Sequence, residues 1–178
     1  ILKAKYMAVL KPAVSKTDHI KGPDSATVEI VEYGDFQCSY CGVAYPVIQQ
    51  IEEEFGDQIC FVFRNFPLTQ VHPYAAIAAY GAEAAGLQGK YWEMHNLIYE
   101  NQRQLDEDFL YRLANKIGLN RNQFEQDMQG EIVQEKVNAD FESGMRSGVN
   151  GTPTFFVNTQ KFDGGAPNLY VMLKESVE

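Results

Sequence analysis

The stretch Ala26-Thr-Val-Glu-Ile-Val-Glu-Tyr-Gly-Asp-Phe-Gln-Cys-Ser-Tyr-Cys41, with the two dozen residues after it, decides the fold. Its first eight residues are β-branched and half alternating, as in a strand, and Gly34-Asp35 breaks the pattern. From Ser39 to Phe55 apolar residues recur at Val43, Val47, Ile48, Ile51 and Phe55. That spacing is helical, with a kink expected at Pro46. Gly56-Asp57 closes the helix, and Ile59-Cys-Phe-Val-Phe63 is the short apolar run of a strand covered on both faces. Strand, helix and strand in this order predict a βαβ unit with a parallel pair and a right-handed crossover.

Beyond Pro67 the period changes. An alanine-rich helix is predicted over Tyr74–Ala85, and a second follows the turn Gly86–Gly89 to about Asn101. A third runs from its N-cap Asp106 to Ile117, with Gly118 just past its end. Asn120 caps a fourth, with Gln123 placed for a capping box, and a fifth spans Ile132 to Met145. Strand chemistry returns at Thr154–Val157, followed by a turn over Asn158–Lys161 and a short strand Phe162-Asp163. Leu169–Val177 closes the chain as a helix. The predicted architecture is α/β, a βαβ…ββα sheet domain made of 24–66 and 148–178 and interrupted by an all-helical insertion over 67–147. Residues 1–23 stand outside it as an N-terminal extension.

With 178 residues, 45% hydrophobic and 22% charged, the chain can bury one substantial core. Fifteen basic against 24 acidic residues leave a net charge of -9. That charge repels phosphate backbones and anionic lipid, so neither nucleic acid nor a membrane surface is an expected partner. No apolar run approaches the ~20 residues that span a bilayer, and no membrane insertion is expected. Ile1–Gly22 has lysines but not the apolar core of a signal peptide, and Met7 reads as a natural start. A cytoplasmic location is the expectation, or a periplasmic or otherwise extracytoplasmic one if a leader has been removed.

Cys38 and Cys41 carry the chemistry. A helix starting near Ser39 places Cys38 at its N-terminal edge, facing free backbone N–H groups and the positive end of the helix dipole. Both favour the thiolate. Residues three apart share a helix face, so Cys41 stands behind Cys38 as a resolving thiol, and Cys38 is expected to be an exposed nucleophile. A structural zinc site needs four ligands, yet there is no second CxxC and His19, His72 and His95 lack ligand spacing. No metal is expected. A static disulfide closing so short a loop would add little stability. Redox exchange, which needs no cofactor because the electrons reside on sulfur, is the expected use of the pair.

Thr152-Pro153 opens the late strand, and beside a CxxC at a βα junction a cis proline facing the cysteines is expected. Its backbone could pair with an extended substrate, making Gly151, Thr152 and Tyr40 the candidate substrate contacts. Glu32 lies six residues before Cys38. Strand alternation leaves open whether it faces solvent or sits buried as a carboxyl of raised pKa that exchanges a proton with Cys41. Cys60, inside an apolar strand, reads as an inert buried thiol. His72 reads as a helix-start residue and His95, beside Trp92, as a packing residue.

Four separated blocks resemble the DsbA-like thiol–disulfide oxidoreductases: Val31-Glu-Tyr-Gly-Asp-Phe-Gln-Cys-Ser-Tyr-Cys41, Phe63-Arg-Asn-Phe-Pro-Leu68, Gln88-Gly-Lys-Tyr-Trp-Glu-Met-His95 and Gly148-Val-Asn-Gly-Thr-Pro-Thr-Phe-Phe156. The resemblance covers Asp24 to the C-terminus. It implies a thioredoxin fold with a helical insertion, Cys38 as attacking and Cys41 as resolving cysteine, Pro153 in cis, and Glu32 at the family's buried acidic position. Ser39 stands where relatives often carry proline, and Tyr40 where strongly oxidising members carry histidine. Neither adds positive charge near Cys38, which predicts a less stabilised thiolate and a milder oxidant. Asn158-Thr159 replaces the family's common Asn-Gly turn.

The implied partners are protein or small-molecule thiols and disulfides and an unidentified redox partner, with the chain a monomer. Two other readings are a relative of the kappa-class glutathione transferases, which share the inserted fold, and a non-catalytic peptide-binding or chaperone domain. The intact Cys38/Cys41 pair favours exchange over both.

Overall fold

The computed structural model describes residues 8–177; Met7, the expected natural start, lies outside the described residues. Five strands form one sheet: β1 (His19–Lys21), β2 (Val28–Gly34), β3 (Ile59–Asn65), β4 (Thr154–Val157) and β5 (Gln160–Phe162). Their order is β1-β3-β2-β4-β5. Only β2 and β3 are parallel, with Val28 opposite Ile59 and Glu32 opposite Phe63. They are joined through α1 (Ser39–Phe55), which gives the predicted βαβ unit. β1, β4 and β5 each pair antiparallel with their neighbours.

Residues 1–23, expected outside the sheet, contribute a strand: His19–Lys21 pairs with Phe61–Phe63 and extends the sheet. Three residues, two of them cationic or polar, carry too short a pattern to announce a strand; pairing with β3 makes it one. The final hairpin also departs from expectation. Its turn is Asn158-Thr159 alone, both at positive φ (46° and 71°), so Gln160 and Lys161 belong to β5 rather than to the turn. Two consecutive left-handed residues make the tight connection that suits the strand twist. Asn158 anchors it to β2, its Oδ1 accepting the Glu29 N–H at 2.8 Å and its own N–H donating to the Glu29 carbonyl.

The insertion comprises α2 (Ala75–Leu87), α3 (Tyr91–Glu100), α4 (Glu107–Lys116), α5 (Arg121–Met128) and α6 (Glu131–Arg146), and α7 (Ala166–Val177) closes the chain. Asp106 and Asn120 cap α4 and α5 through their side chains, accepting from Phe109 N and Gln123 N. The capping box at α5 is only half made, because Gln123 turns its amide forward to Asp127 Oδ1. α1 runs unbroken from 39 to 55 through Pro46, which leaves the Gly42 carbonyl without its usual helical donor.

Alternation along the strands sorts the sheet residues onto two faces. Ile30, Phe61, Phe63 and Phe155 join Cys41, Ile48 and Ile51 of α1, Leu169 and Leu173 of α7, and most of the helical insertion in the larger core. Val31, Tyr33, Val62, Phe66 and Phe156 face the other way and pack with Leu10 and Val149. A buried polar chain ties the insertion to the end of β3: Asn65 Nδ2 donates to Glu83 Oε1 at 2.7 Å and to Asp140 Oδ2 at 2.9 Å. Glu83 in turn meets His19 at 2.7 Å, and Asp140 meets Lys136 at 2.6 Å. The sheet's top edge and the helical block are thereby held in one register beside the cysteines.

Candidate active site

Cys38 is the N-cap of α1, with φ -70° and ψ 122°. Its N–H donates to the Asp35 carbonyl at 3.0 Å, and its carbonyl accepts the first helical bond from Gly42 at 3.1 Å. The first turn of α1 holds no acidic residue to oppose an anion there. Opposite, the Thr152–Pro153 peptide is cis, and the Cys38 sulfur lies 3.4 Å from the Thr152 carbonyl oxygen, to which it donates only while protonated. Thr154 Oγ1 steadies that loop by donating to the Gly151 carbonyl at 2.7 Å.

Both cysteines of the motif are free thiols in this structure, and their surroundings drive them apart. The Cys38 thiol is held down to about 5. The chief cause is the Cys41 thiol donating to its sulfur, aided by the Thr152 side chain and the backbone N–H groups of Cys41 and Tyr40, against the cost of desolvation. Cys41 moves the opposite way. Burial pushes it well above an ordinary thiol, and its bond to Cys38 and the charge of Glu32 add to the rise. One sulfur is therefore ionised at neutral pH while its neighbour keeps its proton.

Glu32 is buried on the same face as Cys41, and desolvation, with the Cys38 charge, raises it to about 8. Among the described residues no hydrogen bond reaches its carboxyl. The structure thus brings Glu32, Cys38, Cys41, Thr152 and Pro153 together. Tyr40 is 75% exposed in the first turn of α1, and Gly151 sits half-buried in the proline loop. The expectation of an exposed Cys38 needs correction: the residue is 4% exposed, against 0% for Cys41. The cap position sets its sulfur against the Thr152 carbonyl, which covers it.

Sequence reasoning missed Asp35. Its buried carboxylate accepts from Gln37 N at 2.8 Å and Leu68 N at 2.9 Å, and it meets His72 Nδ1 at 2.7 Å. The Gln37 side chain accepts the Tyr74 N–H at 2.6 Å. These bonds lash the loop before Cys38 to the start of the insertion, and His72 is a partner of that loop as well as a helix-start residue. The Gly34-Asp35 break was the available signal, since aspartate after a strand commonly bonds its own loop. His95 packs among Phe36, Phe63, Trp92 and Tyr99, and burial pushes it down to about 3, so it is neutral. Cys60 is half-buried, and desolvation raises its thiol. Among the described residues no group of three or more metal-binding side chains gathers.

The family model described as thioredoxin matches residues 14–170. Among curated relatives, Na(+)/H(+) antiporter NhaA 1 of Salinispora arenicola is 40% identical over 156 residues, 88% of this chain and 24% of that protein. NhaA 1 of Mycolicibacterium vanbaalenii is 38% identical over 160 residues, 89% of this chain and 26% of that protein. The chain spans about a quarter of the length of these relatives, and among the described residues no helix is long and apolar enough to cross a membrane.

Among solved structures, oxidised BdbD from Bacillus subtilis aligns with TM-score 0.81 at 23% identity, covering 96% of each chain. The thiol-disulfide exchange protein α-DsbA2 of Wolbachia pipientis aligns with TM-score 0.79 at 22% identity, over 90% of this chain and 86% of the other. The catalytic domain of Proteus mirabilis ScsC gives 0.76 at 16%, over 92% and 90%. The sheet with its helical insertion is the fold of the DsbA-like proteins, as the four sequence blocks implied.

Proposed function

The chain belongs to the thioredoxin family, and from that premise we propose that it is a thiol–disulfide oxidoreductase cycling a Cys38–Cys41 disulfide. The observation that carries this reading is Cys38 at the N-cap of α1, its sulfur against the Thr152 carbonyl before cis Pro153, with buried Cys41 in the turn behind it. That setting opposes the two thiols, holding Cys38 down to about 5 and raising Cys41. A glutathione-conjugating or purely peptide-binding role would make no use of that opposition.

In the oxidising direction a substrate thiolate attacks the Cys38 sulfur of the disulfide. A substrate–Cys38 bond forms and Cys41 leaves with the electron pair. Cys41 then requires a proton, and Glu32, raised to about 8, is the buried acid beside it. A second substrate thiolate attacks the substrate sulfur of the mixed disulfide, forming the substrate disulfide and releasing the Cys38 thiolate. In reverse, the Cys38 thiolate attacks a substrate disulfide, Glu32 takes the Cys41 proton, and Cys41 expels the product. The electrons stay on sulfur throughout.

A Cys38 thiol near 5 lies between the ~7 of a reducing CxxC enzyme and the ~3.5 of the most oxidising one. An intermediate potential follows, because stabilising the thiolate stabilises the reduced pair. Substrates are protein or small-molecule thiols and disulfides that meet the chain at the rim formed by Tyr40 and the Gly151–Thr152 backbone.

Equilibration in glutathione buffers of graded ratio, read by the fraction of Cys38–Cys41 disulfide, tests the proposal. A single reversible two-electron transition, lost in Cys38→Ser, is the expected result. A pair that stays reduced or oxidised across the whole range would refute it.

A further inference from the structure

We infer that Gln102 is a positioning residue for Cys38, acting from the helical insertion through the backbone of the active-site loop; the inference deepens the exchange reading above and rests on it. Gln102 opens a single 3-10 turn, Gln102–Gln104, just after α3. Its Nε2 donates to the Phe36 carbonyl and to the Cys38 carbonyl, each at 2.8 Å. A carboxamide nitrogen has two hydrogens, so its whole donor capacity is spent on these two carbonyls, one either side of Gln37.

The carboxamide reaches them because residue 42 is glycine. A Cβ there would run into Gln102 Oε1. Glycine is a poor helix former, yet it stands in the first turn of α1 directly after Cys41. The notch it leaves is filled by the glutamine.

The consequence for the sulfur is geometric. The N–H groups of Tyr40 and Cys41 help hold the Cys38 anion. Both donors sit in the helical turn that starts at the Cys38 carbonyl, and Gln102 grips that carbonyl together with the Phe36 carbonyl before it. Without Gln102 the Phe36 carbonyl loses its side-chain donor and the Cys38 carbonyl keeps only the Gly42 N–H, so the turn holds its donors less firmly toward the sulfur. An insertion residue thereby controls how well the sheet domain's nucleophile is stabilised.

The test is the pH dependence of iodoacetamide alkylation at Cys38 in the full chain, read by peptide mass, with melting temperature recorded alongside. Gln102→Leu, Gly42→Ala and the double variant are compared, with exposed Gln104→Leu as control. The alkylation midpoint is expected to rise by about half to one pH unit in each single variant, a roughly three- to ten-fold loss of thiolate below the midpoint. The double variant should move no further than Gln102→Leu alone, and the control not at all.

An unmoved midpoint in folded Gln102→Leu overturns the assignment, as do single shifts that add in the double. If Gln102→Leu fails to fold, Gly42→Ala decides by itself: a raised midpoint supports the inference and an unmoved one overturns it. A merely structural glutamine would lower the melting temperature and leave the midpoint in place. A parent chain that never cycles in glutathione defeats the exchange reading and the positioning role with it, whereas a cycling parent with unmoved variants defeats the Gln102 assignment alone.

Discussion

The two faces of the sheet each bury an ionisable side chain, and they treat it in opposite ways. On the face with Val31 and Tyr33, Arg64 is 2% exposed. Its guanidinium makes five hydrogen bonds: two to Asp18 at 2.8 and 2.9 Å, and one each to Tyr33 Oη, the Pro12 carbonyl and the Ala13 carbonyl. Burial works against both charges, but the pairing prevails, raising Arg64 and lowering Asp18. On the face with Cys41, Glu32 has no such partner and is raised to about 8. A buried charge with every donor matched is held for the fold. A buried carboxyl left unmatched beside a thiol is a proton reservoir kept at a cost in stability.

The largest expected effect breaks the matched side. Arg64→Met leaves Asp18 buried without its partner and should cost about 3–5 kcal/mol in denaturant unfolding. Alkylation of Cys38 should keep its pH midpoint, because the ion pair lies across the sheet from the sulfur. A shifted midpoint would show that the two faces are not separate in function.

Next comes Glu32→Gln, with the opposite sign. The folded pKa of about 8 stands above the ordinary glutamate value of 4.5, so between those values the folded state holds a proton that the unfolded state has released. Stability from this group is full below pH 4.5 and is lost as pH rises through 8. The variant should therefore be more stable than the parent by roughly 2–4 kcal/mol at pH 8, the gap closing toward pH 4.5. Exchange should slow by roughly ten- to a hundred-fold, since the proton on Cys41 loses its carrier. Unfolding curves at several pH values and single-turnover exchange check the two halves.

Asp35 offers the intermediate case, a buried carboxylate with three donors. Asp35→Asn should cost about 1–3 kcal/mol in unfolding, placing it with Arg64 rather than with Glu32. The smallest effect is expected at half-buried Cys60: Cys60→Ser should change stability by no more than about 1 kcal/mol and leave the exchange rate alone. A slower Cys60→Ser enzyme would add a third sulfur to the cycle.

Much of this was legible in the chain. Period two followed by period 3.6 located β2, α1 and β3, and the CxxC at their junction placed Cys38 at a helix start. Local chemistry also announced the caps at Asp106 and Asn120, since a cap and the N–H that donates to it lie three residues apart. Illegible features depend on partners far away in sequence. Asp18 and Arg64 are 46 residues apart, and Asp35 and His72 are 37 apart. β1 exists only because β3 is there to pair with it. Alternation could say that Glu32 and Ile30 share a face but not which face, because that depends on where α1 crosses the sheet. The limited exposure of Cys38 depends on the Thr152 loop, which arrives 114 residues later.

The most direct measurement is the ultraviolet thiolate absorbance of the reduced chain titrated against pH, with Cys38→Ser as reference. The expected result is a step of one thiolate centred near pH 5 that vanishes in Cys38→Ser. A parent whose first thiolate appears only near pH 9, like an ordinary cysteine, would contradict the account.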